Sequence, residues 1–326
     1  MVTRPACMST ELRFAHIINL IAPGDNAELE KAQAITVRSV LEAKNFAGSK
    51  VNVELLSAQF ADAVNHVPNG FRATTNLESC AARVPELGTK KKLPLLREIL
   101  SRLNEAQDAT HFIYTNTDIA LMPFFYASVS AYVKEGYDAV VINRRRITAT
   151  VMNETDLVKM YGEAGETHTG YDCFVFSREL LQKFVMKDVY TGAPPSGNDL
   201  FYNLFTFASN PVLLTGKHVT FHVGMDLVKP WGDPLLNAHN QREHLKILKE
   251  LKSQMDVTRF PGAGYGFFKR HFKWLMNPTF HYPTMFSLDM AALGRKRKTP
   301  AKNELPGLSN RYYEWMIRKV NFRDKD

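Results

Sequence analysis

Short apolar runs alternate with longer amphipathic segments between residues 14 and 250. The short runs have the length of buried strands, and the longer segments carry apolar residues at helical spacing. The predicted strands cover residues 14–21, 51–56, 111–121, 137–143, 173–176 and 218–223. The predicted helices cover residues 28–46, 93–106, 125–135, 178–184 and 200–207. This alternation predicts an α/β fold of the Rossmann type, with a mostly parallel sheet flanked by helices.

The alternation stops near residue 250, and the charge changes there as well. The chain has a net charge of +8, to which residues 251–326 contribute +9 and the remainder −1. We therefore predict an α/β domain over residues 10–250 and a basic, aromatic-rich extension over residues 251–326. This asymmetry favours an anionic partner, which could be a membrane surface, a nucleic acid or a phosphate-bearing substrate, whereas the alternative is a solvated tail.

Two segments of the extension stand out. Residues 295–302 (RKRKTPAK) have the composition of an exposed linker, and residues 311–320 predict a short helix. Aromatic residues of that helix, Tyr312 and Trp315, lie among several cations. The pattern predicts one of two arrangements, contact with an anionic bilayer or packing of the tail against the α/β domain.

Cysteine usage and hydropathy indicate the compartment. Cys7, Cys80 and Cys173 are far apart and form no metal-binding spacing, which argues against a disulfide framework and a structural zinc site. The first residues lack the apolar core of a secretory signal, and no apolar run is long enough to span a bilayer. We expect a cytoplasmic protein, with peripheral membrane contact as a further expectation.

The predicted central strand, HFIYTNTDIAL (residues 111–121), ends in polar residues. Ligands of open α/β sheets bind beyond the carboxyl ends of strands, which places Asn116 and Asp118 where a cation and a phosphate could be held. Divalent Mg²⁺ takes one or two carboxylates together with substrate phosphates. The structural alternative for Asp118 is a helix N-cap.

Missing motifs argue against several enzyme classes. The chain has no G-x-x-x-x-G-K-[ST] sequence and no G-x-G-x-x-G after the first strand, which argues against P-loop NTPases and Rossmann dehydrogenases. It also lacks the G-x-S-x-G sequence of serine hydrolases.

The order of segments resembles the nucleotide-binding half of GT-A glycosyltransferases over residues 12–245. A helix leads into a strand ending in TNTDIAL, where Asn116-Thr117-Asp118 would be the Asp-x-Asp motif, with asparagine replacing the first acid. Residues 168–180 (HTGYDCFVFSREL) resemble the acceptor-side segment. Residues 219–224 (VTFHVG) resemble the late strand whose histidine, here His222, completes the metal site in many of these enzymes.

The resemblance implies a metal-dependent glycosyltransferase with a UDP- or GDP-sugar donor and a hydroxyl acceptor on a glycan or lipid-linked molecule. Asp118 and His222 would hold Mn²⁺ or Mg²⁺, and Asn116 would contact the ribose or the metal. A carboxylate at a strand edge can take the proton of the acceptor hydroxyl, which favours Asp172 as general base. Asp199 competes for that role, or caps the helix that follows.

Other polar residues are candidates for the nucleotide. Lys91, within Lys90–Lys92, and Arg144, within Arg144–Arg146, could contact phosphates, although either triplet could be surface charge. Asn19, near the end of the first strand, could contact the base. The pair His239 and His244 has a spacing unsuited to a helical metal site, which favours a structural or acceptor-facing role.

Two other functions stay open at this point. A sugar-1-phosphate nucleotidyltransferase has a similar α/β arrangement, but such enzymes usually carry a Gly-rich, basic N-terminal signature that this chain lacks. A noncatalytic GT-A-like binding protein would use its basic tail on a membrane or, less expected, on nucleic acid. The asparagine at position 116 is the main support for the noncatalytic hypothesis.

Overall fold

The computed structural model describes residues 11–24, 27–148, 153–223 and 233–294, except for the side chain of Thr169. The strands are β1 (Arg13–Asn19), β2 (Asn52–Ala58), β3 (Arg72–Ala73), β4 (His111–Thr115), β5 (Ala120–Leu121), β6 (Ala139–Ile147), β7 (Glu166–Ser177), β8 (Pro211–Leu214) and β9 (Thr220–Val223). The helices are α1 (Ala27–Ala47), α2 (Leu96–Arg102), α3 (Phe125–Lys134), α4 (Leu157–Gly162), α5 (Arg178–Leu181), α6 (Ser196–Phe207), α7 (Pro234–Leu251), α8 (Phe267–Met276) and α9 (Tyr282–Ala292).

All of these strands belong to one sheet with the order β3-β2-β1-β4-β7-β6-β9-β5, and β8 also pairs with β6. In the described part of the chain, β1 is parallel to β2 and β4, and β6 is parallel to β8 and β9. Strand β7 runs antiparallel between β4 and β6. The prediction of an α/β fold with a mostly parallel sheet flanked by helices is therefore confirmed.

Each face of the sheet is covered by its own hydrophobic cluster. Alternate side chains of β4 point to opposite faces, so Phe112 and Tyr114 join one cluster and Ile113 joins the other. The first cluster includes residues of α2, α6 and α7, and the second includes residues of α1 and α3. Because both faces are buried, strands such as β1 and β4 are rich in apolar residues along most of their length.

The first part of the predicted extension packs onto the α/β domain. Trp274 of α8 and Met285 of α9 are fully buried in the same cluster as Phe201 of α6. The segments 295–302 and 311–320 lie outside the described residues, and the domain boundary at residue 250 stays a prediction. No helix in the described part of the chain has the length and apolar content needed to cross a bilayer.

Three predicted boundaries near the candidate site are wrong. The central strand ends at Thr115 and is separated from β5 by a turn. Strand β6 runs on to Ile147, so Arg144–Arg146 lie inside the strand and do not follow it. Strand β7 begins at Glu166, so Asp172 lies within it and does not precede it. Charged side chains that pair across neighbouring strands resemble a loop in the sequence, which explains the two shortened strands.

Candidate functional site

The turn after β4 carries Asn116 and Asp118 and is anchored to α1. Within the turn, the amide of Ile119 donates to the carbonyl of Asn116 at 3.2 Å. The hydroxyl of Thr117 donates to Oε1 of Gln33 on α1 at 2.9 Å, and that oxygen also accepts the backbone N–H of Ile21 at 2.8 Å. One glutamine therefore ties the turn to the chain that leaves β1, which fixes the direction of the neighbouring polar side chains.

Asp118 and His222 meet because β5 and β9 pair at the same edge. Ala120 lies opposite Phe221 in this antiparallel pairing, which brings the preceding turn beside the next residue of β9. Oδ2 of Asp118 lies 3.2 Å from Nε2 of His222, and each side chain is 25% exposed. Burial alone would raise the pKa of Asp118, but the hydrogen bond and charge of His222, with Arg144 nearby, lower it below its usual value.

Asp172, on β7, is held by one side chain from the turn after β4 and by one from β6. Its Oδ1 accepts from Nδ2 of Asn116 at 3.0 Å, and its Oδ2 lies 2.9 Å from Nη1 of Arg144. Oδ1 of the same Asn116 amide accepts a hydrogen bond from the hydroxyl of Tyr114 at 2.8 Å. Strands β4, β7 and β6 thus contribute to one continuous chain of hydrogen bonds.

The charges around Asp172 determine its proton affinity. Burial raises the pKa of Asp172, the guanidinium of Arg144 acts in the opposite direction, and the charge of Asp118 raises it again, with a net result above the usual value. His168, at the start of β7, has its pKa lowered to about 4 by burial and by Arg144 and Arg146. The group therefore places neutral or cationic side chains around two carboxylates.

Asp118 and His222 together offer a carboxylate oxygen and an imidazole nitrogen, which are donor atoms that could hold a divalent cation. The 3.2 Å between them is the distance of their direct contact. No group of three or more His, Cys, Asp or Glu residues suited to a metal occurs in the described ranges. Phosphate oxygens and waters would therefore supply the remaining ligands, as is usual for Mg²⁺.

Two further predicted residues are held by contacts outside this group. Nδ2 of Asn19 donates to the carbonyl of Ala58 at 2.9 Å, which joins the ends of β1 and β2. Nζ of Lys91 lies 3.2 Å from Oδ2 of Asp233, with the lysine side chain more than half exposed. Their contacts with a nucleotide stay predictions.

Asp199 lies in the core and pairs with a histidine. Its side chain is 0% exposed, and Oδ1 lies 2.5 Å from Nδ1 of His244 on α7. Burial raises the pKa of Asp199, although His244 acts against it. The helix-cap alternatives are wrong for both acids, because α6 begins at Ser196 and α3 begins at Phe125. The structural role expected for His244 agrees with this pairing.

Three contributors to the site are absent from the residues predicted from the sequence. Tyr114 could have been found, since residues two apart on a strand share a face and Asn116 follows it by two. Gln33 carried no such signal, because its contact with Thr117 depends on the packing of α1 against the turn after β4. His168 lies four residues before Asp172 on the same strand, within the segment that resembles the acceptor side.

No protein-family model matches the chain, and no curated protein matches it. Among solved structures, S. aureus TarS 1-349 has a TM-score of 0.47 and 11% identity, covering 88% of this chain and 76% of that chain. The same protein in complex with UDP-GlcNAc has a TM-score of 0.47 and 13% identity, with coverage of 87% and 76%.

A further solved structure is also similar. The 4-diphosphocytidyl-2C-methyl-D-erythritolsynthase from Anaerococcus prevotii has a TM-score of 0.35 and 12% identity, covering 71% of this chain and 99% of that chain. These are likenesses of fold.

Proposed function

We propose that the protein is a glycosyltransferase that moves a sugar from a nucleotide-sugar donor to an acceptor hydroxyl. The observation that carries the proposal is the arrangement around Asn116. This residue bonds Asp172 on one side, and Asp118, two residues further, pairs with His222. Two carboxylates with different partners therefore stand at the carboxyl end of β4, the place where α/β sheets bind their ligands.

The pair Asp118 and His222 forms the donor side of the proposed site. Both side chains are partly exposed, so a cation bound to a nucleotide diphosphate can reach them. Asp118 is ionised at neutral pH, as a metal ligand must be, and His222 would have to be neutral to share the ion. A divalent cation held there would offset the charge that develops on the leaving diphosphate.

Asp172 forms the acceptor side. As the acceptor oxygen bonds to the anomeric carbon, the bond from that carbon to the diphosphate oxygen breaks and the diphosphate leaves with the electron pair. Asp172 takes the hydroxyl proton in this step, and its raised pKa increases its affinity for that proton. Arg144 and Asn116 keep the carboxylate in one orientation.

The asparagine at position 116 suits this arrangement better than an acid would. Its amide donates to Asp172 and accepts from Tyr114, and a carboxylate could not donate to Asp172. An aspartate here would place two negative charges about 3 Å apart, which raises the pKa of one of them. Asn116 is therefore assigned to positioning the general base, and it does not favour a noncatalytic protein.

The proposal is tested by calorimetry with nucleotides and Mn²⁺. UDP is the first probe, because the solved structures of TarS include complexes with UDP-GlcNAc and UDP, and GDP is the second. We expect wild-type binding to require the cation and Asp118→Ala to lose the cation-dependent part. The matched control is Asp188→Ala, which removes an exposed acid paired with Arg97 and should bind like wild type.

Release of UDP from UDP-GlcNAc in the presence of an acceptor panel then tests transfer. Cation-independent binding that Asp118→Ala leaves unchanged would contradict the donor assignment. Binding by wild type without release of UDP under any acceptor would favour a noncatalytic protein.

A further inference from the structure

Helix α8 presents a stripe of apolar side chains to solvent. Phe268 is 85% exposed, Phe272 is 64% exposed and Leu275 is 37% exposed. Their spacing of four and three residues places them on one face of the helix. We name these three residues the α8 stripe. An exposed apolar face of this kind marks an interaction surface more often than a single exposed residue does.

The opposite side of α8 is firmly anchored. Trp274 is fully buried, and its indole N–H donates to the carbonyl of Pro261 at 2.8 Å. His271 and Arg270 each lie 2.8 Å from Oδ2 of Asp289 on α9. These contacts fix the rotation of the helix, so the outward position of the α8 stripe is set by packing in the core.

The charged residues of α8 itself are all basic. Lys269 and Lys273 are four residues apart, and their Nζ atoms lie 4.5 and 5.2 Å from the centre of the Tyr265 ring. Helix α8 contains no acidic residue. An apolar stripe with lysines along its border has the composition of a helix that lies in the headgroup region of an anionic bilayer.

We infer that the α8 stripe binds the surface of a bilayer that contains anionic lipids. Charge distinguishes this occupant from the others. A second copy of the chain would bring the same lysines together, and residues 311–320, with Arg311, Arg318 and Lys319 against Glu314, are also net positive. Anionic headgroups complement both the lysines and the +9 charge of residues 251–326. The inference does not depend on glycosyl transfer.

Sedimentation with vesicles tests the inference on the full-length protein. We expect binding to vesicles with about 30% phosphatidylglycerol in phosphatidylcholine, weakened by salt, and none to phosphatidylcholine alone. The double variant Phe268→Ser/Phe272→Ser should lower the partition coefficient by at least roughly tenfold, since two rings leave the interface. The control is Phe46→Ser, which removes a ring that is 62% exposed on α1 and should not change binding.

Charge variants test the second component. Lys269→Glu/Lys273→Glu should reduce binding by at least roughly tenfold, because each lysine near an anionic surface contributes about fivefold. Lys50→Glu, at an exposed position after α1, is the matched control. A bromine-labelled lipid should quench the added fluorescence of Phe272→Trp and leave that of Phe46→Trp unchanged.

Three outcomes would overturn the inference. The first is no vesicle binding by wild type at low salt. The second is wild-type binding by Phe268→Ser/Phe272→Ser, which would assign the membrane contact to another part of the extension. The third is a dimer in solution that this double variant dissociates while vesicles bind neither protein, which would assign the α8 stripe to a second copy. Calorimetry with UDP shows separately whether the variants keep the nucleotide site.

Discussion

Asp118–His222 and Asp199–His244 join the same two kinds of side chain, yet they differ in access to solvent. Each partner of the first pair is 25% exposed, whereas Asp199 and His244 are 0% and 3% exposed. A ligand can reach the first pair at the end of the sheet, but the second lies between α6 and α7. Burial, more than residue type, therefore separates a candidate ligand site from a structural contact.

The pKa directions of the two acids follow the same difference. Burial raises the pKa of Asp199, and its histidine does not reverse the shift. At Asp118 burial acts in the same direction, but His222 and Arg144 together outweigh it and the pKa is lowered. The lowered pKa favours the charged form of Asp118, which can attract a cation. The raised pKa of Asp199 suits a structural contact with His244 inside the core.

The largest expected effect concerns the carboxylate beside the open pair. Asp172→Asn should lower transfer by roughly 10²- to 10⁴-fold, because the amide cannot take the acceptor proton, while nucleotide affinity stays within twofold or so of wild type. Initial rates of UDP release and calorimetry measure the two quantities. Asp199→Asn is the comparison. If Asp199→Asn lost transfer without losing stability while Asp172→Asn kept normal rates, Asp199 would be the general base and Asp172 the structural residue.

The free energy of unfolding, in contrast, should depend more on the buried pair than on the partly exposed pair. Asp199→Ala should lower the free energy of unfolding by roughly 3–5 kcal/mol, because removing one partner leaves His244 buried without its carboxylate. Asp118→Ala should cost no more than about 1 kcal/mol, since its pair is partly solvated. Urea denaturation measures both values, and equal losses for the two variants would remove burial as the distinguishing factor.

Replacing the side-chain amide of Asn116 by a carboxylate should change the pH dependence of transfer. Asn116→Asp places a negative charge beside Asp172, which raises the pKa of the general base. Since the base acts when deprotonated, the acid limb of the pH–rate profile should move upward by about one pH unit, or tenfold in rate along that limb. Asn116→Ala supplies the control, because it removes the hydrogen bond without adding charge. An unmoved acid limb in Asn116→Asp would separate Asp172 from the catalytic step.

The smallest expected effect uses a buried histidine that has no carboxylate partner. His16 bonds the hydroxyls of Tyr126 at 2.7 Å and Thr115 at 2.8 Å, and burial lowers its pKa to about 3. The unfolded chain then binds a proton below pH 6.5 that the folded chain does not, so stability falls as pH falls from there toward 3.

Between pH 6 and pH 5 this proton contributes about 1 kcal/mol to the loss of stability. Urea denaturation at the two values should show a smaller loss in His16→Asn than in wild type. An identical loss in both proteins would mean that His16 is not the group that takes up the proton.

The sequence predicts the apolar part of this fold well and its polar pairings poorly. Mostly apolar runs located β1 and β4, because strands buried on both faces need such runs. The ends of β6 and β7 were missed, since Arg144 and Asp172 neutralise one another inside the sheet and no local pattern reveals the partner. In the sequence alone, a charged residue inside a strand is interpreted as the end of that strand, because the oppositely charged residue on the neighbouring strand is not known.

In the candidate site, the residues at the end of the apolar strand were predictable from the sequence, and the contacts between distant residues were not. Asp118 and Asn116 were found because the end of a buried strand is visible in the sequence. The contact between Asp118 and His222 depended on the resemblance to a known family, since it requires the register of β5 against β9. The α8 stripe was not predicted at all, because exposed and buried aromatic residues of one helix look alike until the core is assembled.

The position of β6 in the sheet has a consequence for synthesis on the ribosome. Strands β1, β2 and β4 can pair with one another as soon as residue 115 is available, but every described partner of β6 follows it in the sequence. From residue 147 until β7 emerges, this apolar strand has both edges open, a state prone to wrong pairing. The interval closes when β7 pairs with β6, well before His222 is translated and the candidate site becomes complete.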